Sequence, residues 1–127
     1  MFLTLLKSKL HRATITGASL NYEGSLTISK DLADHVGLRE YERILVSNMA
    51  NAERFETYVI YGPEGKGVIE LNGAAAHLGK IGDRLTIMNF GWYNEEEAQT
   101  HQPFVIVLDE KNQIMRASRG VAYHASH

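Results

Sequence analysis

Short runs rich in β-branched and aromatic residues, each closed by turn-forming residues, constrain most strongly what this chain can fold into. They are Thr14 to Thr16, Leu26 to Ile28, Ile44 to Ser47, Phe55 to Tyr61, Val68 to Leu71, Arg84 to Phe90, Phe104 to Leu108 and Ile114 to Ala117. Such residues suit a pleated, half-buried surface, and Tyr61-Gly62-Pro63-Glu64-Gly65-Lys66-Gly67, Gly82-Asp83 and Asp109-Glu110-Lys111-Asn112 supply the turns. Many short strands punctuated in this way predict a small β-barrel or sandwich. Two or three short helices interrupt it. Ser29 is placed to cap one over Lys30 to Val36 that Gly37 ends, and Asn94 to cap another over Glu95 to Thr100, with acids in its first turn and Pro103 beyond its end. Asn72-Gly73-Ala74-Ala75-Ala76 reads as a strand end turning into a helical segment with very small side chains.

No linker or repeat divides the chain, and 127 residues at 44% hydrophobic content suffice for one core but not for two ordinary domains. A single domain over residues 1–127 is expected. Lys and Arg are scattered and the formal charge is −2, so no basic patch invites nucleic acid or an anionic membrane. The absence of cysteine excludes disulfides and thiolate zinc sites, and the histidines lack ligand spacing, so no metal is expected. The apolar start Met1 to Leu6 is too short for a signal peptide, and no stretch is long enough to span a membrane. The expected location is the cytoplasm.

Chemistry enters at Gly24-Ser25, which lies between strand-like runs in Leu20-Asn21-Tyr22-Glu23-Gly24-Ser25-Leu26-Thr27-Ile28. A serine hydroxyl can attack the carbonyl before it, turning the peptide into an ester. Glycine leaves that carbonyl unshielded and permits the dihedrals the attack needs. Elimination and hydrolysis then leave an N-terminal pyruvoyl group, a ketone able to do Schiff-base chemistry with amines. The dipeptide by itself is also an ordinary turn pair.

Five blocks give the dipeptide a context: Ser8-Lys9-Leu10-His11-Arg12-Ala13, then Leu20 to Ser25, then Glu53-Arg54-Phe55-Glu56-Thr57-Tyr58-Val59-Ile60, then Leu71-Asn72-Gly73-Ala74-Ala75-Ala76-His77, then Ile81-Gly82-Asp83. In that order and at those separations the chain resembles the pyruvoyl-dependent aspartate 1-decarboxylases, from about Leu3 to Met115. The resemblance implies a six-stranded double-psi β-barrel and cleavage at Gly24-Ser25 into a β chain, 1–24, and an α chain, 25–127, that begins with a pyruvoyl group made from Ser25. It further implies decarboxylation of L-aspartate to β-alanine for pantothenate and coenzyme A synthesis, by a homotetramer with sites at subunit boundaries.

The same resemblance assigns roles. Thr57 supports the ester intermediate and contacts substrate, and Tyr58 reprotonates the carbon that loses carbon dioxide. A phenol ordinarily titrates near pH 10 and so donates readily at neutral pH. Adjacent strand residues face opposite ways, so the two cannot share a task. Arg54 and Lys9 offer the fixed positive charge that a dicarboxylate substrate needs. Gly73, Ala74 and Ala75 meet the substrate, while His11, Tyr22 and Asn72 line or arrange the site. One departure is visible: Asn51-Ala52 stands where the family usually has Asn-Gly, so a turn just before Arg54 is made without glycine. The competing reading is a non-enzymatic β-barrel module for ligand binding or interaction, with Gly24-Ser25 a mere turn.

Overall fold

The structure is a computed structural model and describes residues 1–21 and 23–120, in which nine strands join one mixed sheet. They are β1 Phe2–Thr14, β2 Gly17–Ser19, β3 Ser25–Ser29, β4 Arg43–Asn48, β5 Arg54–Gly62, β6 Ile69–Asn72, β7 Arg84–Asn94, β8 Phe104–Leu108 and β9 Ile114–Arg119. Their order across the sheet is β2-β6-β3-β5-β4-β7-β1-β8-β9. The pairs β1–β8, β2–β6 and β3–β5 are parallel and the others antiparallel. Helix α1 spans Lys30–His35, a 3-10 helix Gly73–Leu78, and α2 Glu95–Thr100. No helix among the described residues is long and apolar enough to cross a membrane.

The sheet is barrel-like because its inward side chains meet in one place. Leu10 of β1, Ile28 of β3, Ile44 of β4, Val59 of β5, Leu71 of β6, Ile87 of β7 and Ile106 of β8 all belong to one buried cluster, which Leu32 and Ala33 of α1 also join. A flat sheet would hold β6 and β8 far apart, so the sheet must curl to bring their apolar faces together. The gap between its two ends is stitched rather than closed by strand pairing. Thr16 N–H donates to the Ile69 carbonyl at 2.8 Å, and the Asn112 amide donates to the carbonyls of Thr14 and Gly67, each at 2.8 Å.

This mainly β, barrel-like fold agrees with the sequence reading, with three differences. Nine strands form rather than six; β2 and β9 add no residue to the core, and every residue of β9 is exposed, so they extend the ladder without enlarging the interior. Of the expected run Thr14 to Thr16 only Thr14 is in a strand, as the last residue of the 13-residue β1, and Ile15 and Thr16 lie beyond it. The apolar alternation of β1 is masked by Lys7, Lys9, His11 and Arg12, but pairing with both β7 and β8 holds it extended. Ser29 does not cap α1 with its side chain, because its Oγ accepts a hydrogen bond from Val68 N–H at 2.7 Å. Asn94 does cap α2, in a reciprocal box with Glu97.

Candidate active site

Strand β3 begins at Ser25 itself, and its alternation sorts the side chains. Leu26 and Ile28 go to the core, while Ser25 and Thr27 line a cavity of ≈ 470 Å³ on the other face. Ser25 is buried, at 4% exposure, one residue after an exposed glycine. Nothing stands within 4 Å of where a Cβ on Gly24 would lie. Glycine is therefore not demanded by packing, and the bond it shares with Ser25 is open on that side.

Across from β3, antiparallel β6 places Asn72 opposite Ser25. The Asn72 side-chain nitrogen donates to Ser25 Oγ and to Thr27 Oγ1, each at 2.9 Å. Ser25 Oγ in turn makes a long hydrogen bond, 3.4 Å, to the carbonyl of Glu23, so the hydroxyl leans back along the chain toward the segment before it. Asparagine is a favoured helix cap, yet Asn72 makes no side-chain cap to the 3-10 helix that follows. Gly73, buried and at φ +67°, turns the chain sharply into that helix, a conformation suited to glycine. Ala74 is exposed and Ala75 half-buried, so small side chains and backbone follow directly after Asn72.

On the other side of β3, parallel β5 runs in register from Leu26↔Val59 to Ser29↔Gly62. Tyr58 and Ile60 line the Ser25 cavity, whereas Val59 lies in the core. Thr57 shares the face of Val59, so the expected division between Thr57 and Tyr58 is present in the backbone. Arg54 is exposed on the Tyr58 face, but four residues further along the strand, roughly 13 Å away at the usual rise.

The remaining site candidates lie elsewhere. Lys9 is on β1, between Met88 and Val105, and among the described residues neither it nor Arg54 has a side-chain hydrogen bond or ion pair. Neighbouring Lys7 is engaged, its ammonium 2.6 Å from Glu42. His11 lines a different cleft with Arg12, Arg84 and Arg116, its Nδ1 3.5 Å from Thr86 Oγ1. Burial and the nearby Arg12 guanidinium push Arg84 below the usual arginine range. Tyr22 lies outside the described residues, as do residues 121–127.

The fold of the single chain thus assembles Ser25, Tyr58 and Asn72 but not the cations. The described residues lining the cavity include Glu23 and Glu70 and no Lys or Arg. Thr27 and Glu70 were not among the sequence candidates. The period-two rule applied outward from Ser25 would have found Thr27, since residues 25 and 27 of one strand share a face. No group of three or more His, Cys, Asp or Glu among the described residues is arranged to hold a metal ion.

The family profile described as aspartate decarboxylase matches residues 1–115. Aspartate 1-decarboxylase of Heliobacterium modesticaldum is 53% identical over 113 residues, 89% of this chain and 86% of the relative. The protein of that name from Desulfotalea psychrophila is 54% identical over 110 residues, 87% of this chain and 92% of the relative. That from Caldicellulosiruptor bescii is 49% identical over 118 residues, covering 93% and 92%.

Proposed function

The chain belongs to the aspartate decarboxylase family, and we propose that it is a self-processing enzyme that turns L-aspartate into β-alanine and carbon dioxide. The observation that carries this reading is the 2.9 Å hydrogen bond from buried Asn72 to Ser25 Oγ. A turn serine has no need of a buried amide donor. A nucleophilic serine does, because the donor fixes the hydroxyl's direction and stabilises negative charge as it grows on the oxygen.

The processing step balances with water as its sole co-reactant. Ser25 Oγ bonds to the Gly24 carbonyl carbon, the C–N bond to Ser25 breaks, and the nitrogen takes up the hydroxyl proton, leaving an ester and a free amine. Thr57 is assigned the oxyanion that grows on Gly24 during this exchange. Loss of the Ser25 Cα proton then expels the Gly24 carboxylate from Cβ and leaves dehydroalanine. Tautomerisation and hydrolysis release ammonia, giving chain 1–24 and chain 25–127 with a pyruvoyl terminus. The open side of Gly24 and the cavity beside Ser25 fit such a group.

Once formed, that carbonyl supplies an electron sink for breaking a carbon–carbon bond. The chain's own residues do the rest. Asn72 and the backbone at Gly73, Ala74 and Ala75 hold the reacting end, and Tyr58, on the cavity wall, returns a proton to the carbon that lost its carboxylate. Arg54 and Lys9 grip the substrate carboxylates. Two carboxylates cannot settle against Glu23 and Glu70 alone, so those cations, with His11, are brought to the cavity by a neighbouring copy in a homotetramer. β-Alanine made this way serves pantothenate and coenzyme A synthesis in the cytoplasm.

Intact mass of the purified protein tests the reading. Two chains divided at Gly24-Ser25 are expected, and borohydride added with aspartate should fix substrate mass to the larger one. An undivided chain in preparations that evolve carbon dioxide from aspartate overturns it. An undivided chain without that activity marks a non-enzymatic binding or interaction module instead.

A further inference from the structure

The Asn72 nitrogen has two hydrogens, and both are used: one on Ser25 Oγ and one on Thr27 Oγ1, each at 2.9 Å. The terminal torsion of an asparagine is broad, so a single hydrogen bond to Ser25 would leave the amide plane free to swing. The second bond removes that freedom. Thr27 is itself held. Its Cγ2 lies 2.8 Å from where a Cβ on Gly62 would stand, so the methyl fills the space that this glycine leaves open in β5. A β-branched side chain has few χ1 choices, and with the methyl lodged against Gly62 the hydroxyl faces Asn72.

We propose that Thr27 is a positioning residue for self-cleavage: seated against Gly62, it fixes the Asn72 amide, which in turn aims the Ser25 hydroxyl at the Gly24 carbonyl. The inference rests on the self-processing reading. Thr27 forms no part of the scissile bond and acts on it through Asn72. Its removal therefore slows bond breakage without abolishing it, on the order of tenfold, as expected when one ordinary hydrogen bond no longer holds a reacting group.

The test follows the division of freshly made protein by intact mass, with thermal melting alongside. Thr27→Val keeps the shape and removes the acceptor; cleavage slowed about tenfold with a melting temperature within a few degrees of wild type is expected. Thr27→Ser restores the acceptor and should bring the half-time back to within about threefold of wild type, a rescue that loss of packing would not give. Thr27→Ala carries the same prediction as Thr27→Val if the valine chain does not melt cooperatively. Wild type that divides, with variants that divide as fast, overturns the proposal alone. Wild type that never divides overturns the self-processing reading and this proposal with it. Slow cleavage in Thr27→Ser as well as Thr27→Val also overturns the proposal, because the hydroxyl would then not be what matters.

Discussion

The surroundings of Ser25 and those of Arg54 lie on neighbouring strands and are built to opposite standards. Around Ser25 the hydroxyls are held inside the fold: Asn72 is buried, its nitrogen holds those of Ser25 and Thr27, and strand pairing with β5 and β6 fixes both flanks. Arg54 opens β5 from an exposed turn, and its guanidinium has no partner among the described residues. The difference is one of timing. On the proposed function, a bond that breaks within a single chain has to be oriented before any substrate or second copy arrives, whereas a cation that grips a carboxylate is completed by assembly. Internal organisation is therefore spent on the nucleophile.

If that division is right, four measurements should separate the two regions. Ser25→Ala has the largest expected effect: the chain stays whole by intact mass, and no carbon dioxide is evolved from aspartate. Arg54→Ala should leave division at Gly24-Ser25 at its normal rate while raising KM for aspartate roughly ten- to a hundredfold, the worth of a charge-assisted hydrogen bond. Slowed division in that variant would mean that the two regions are coupled within one protomer.

The turn before Arg54 offers a smaller effect. Ala52 sits at φ +64°, a left-handed conformation that costs a side chain what glycine escapes. It is held there by its N–H bond to the Asn48 carbonyl, while the Asn51 amide donates to Leu78 and its Oδ1 accepts from Glu53 N–H. Ala52→Gly should stabilise the protein by about 0.5–1 kcal/mol, read as a melting shift of a few degrees, with cleavage unchanged. No rise in melting temperature would show that the turn bears no strain.

Smallest is the acid response. The Asn48 amide and Lys80 N–H hold the Asp83 carboxyl below its usual range, and the N–H groups of Gln113 and Lys111 do the same for Asp109. A lowered folded value means that stability is present above the unfolded pKa of about 3.9 and is lost as pH falls through the folded values. Melts taken from neutral pH downward should decline below about pH 4, and Asp83→Asn should flatten part of that decline. An unchanged acid limb in Asp83→Asn would assign the loss to other carboxylates.

Much of this was legible along the chain. The strands from Leu26 to Ile28, Ile44 to Ser47, Phe55 to Tyr61 and Phe104 to Leu108 stand where β-branched runs put them, because those residues both favour extended backbone and fill the core. The cap at Asn94 was equally readable, since its partner Glu97 is three residues away. Less so was β1, whose interleaved charges conceal a strand that only two neighbours hold straight. Ser29 misled for a related reason: a hydroxyl goes to the best donor in space, and Val68 lies 39 residues off.

The order of residues alone determined where a serine follows a glycine, which face of β5 carries a phenol, and which family the chain belongs to, because local alternation and side-chain chemistry travel with the chain. That Asn72 reaches Ser25 across 47 residues, that Thr27 braces it, and that the cavity they share is lined by acids was decided by the curled sheet. Hydrogen bonds and charges act over a few ångströms, and only folding sets which distant residues come within that range.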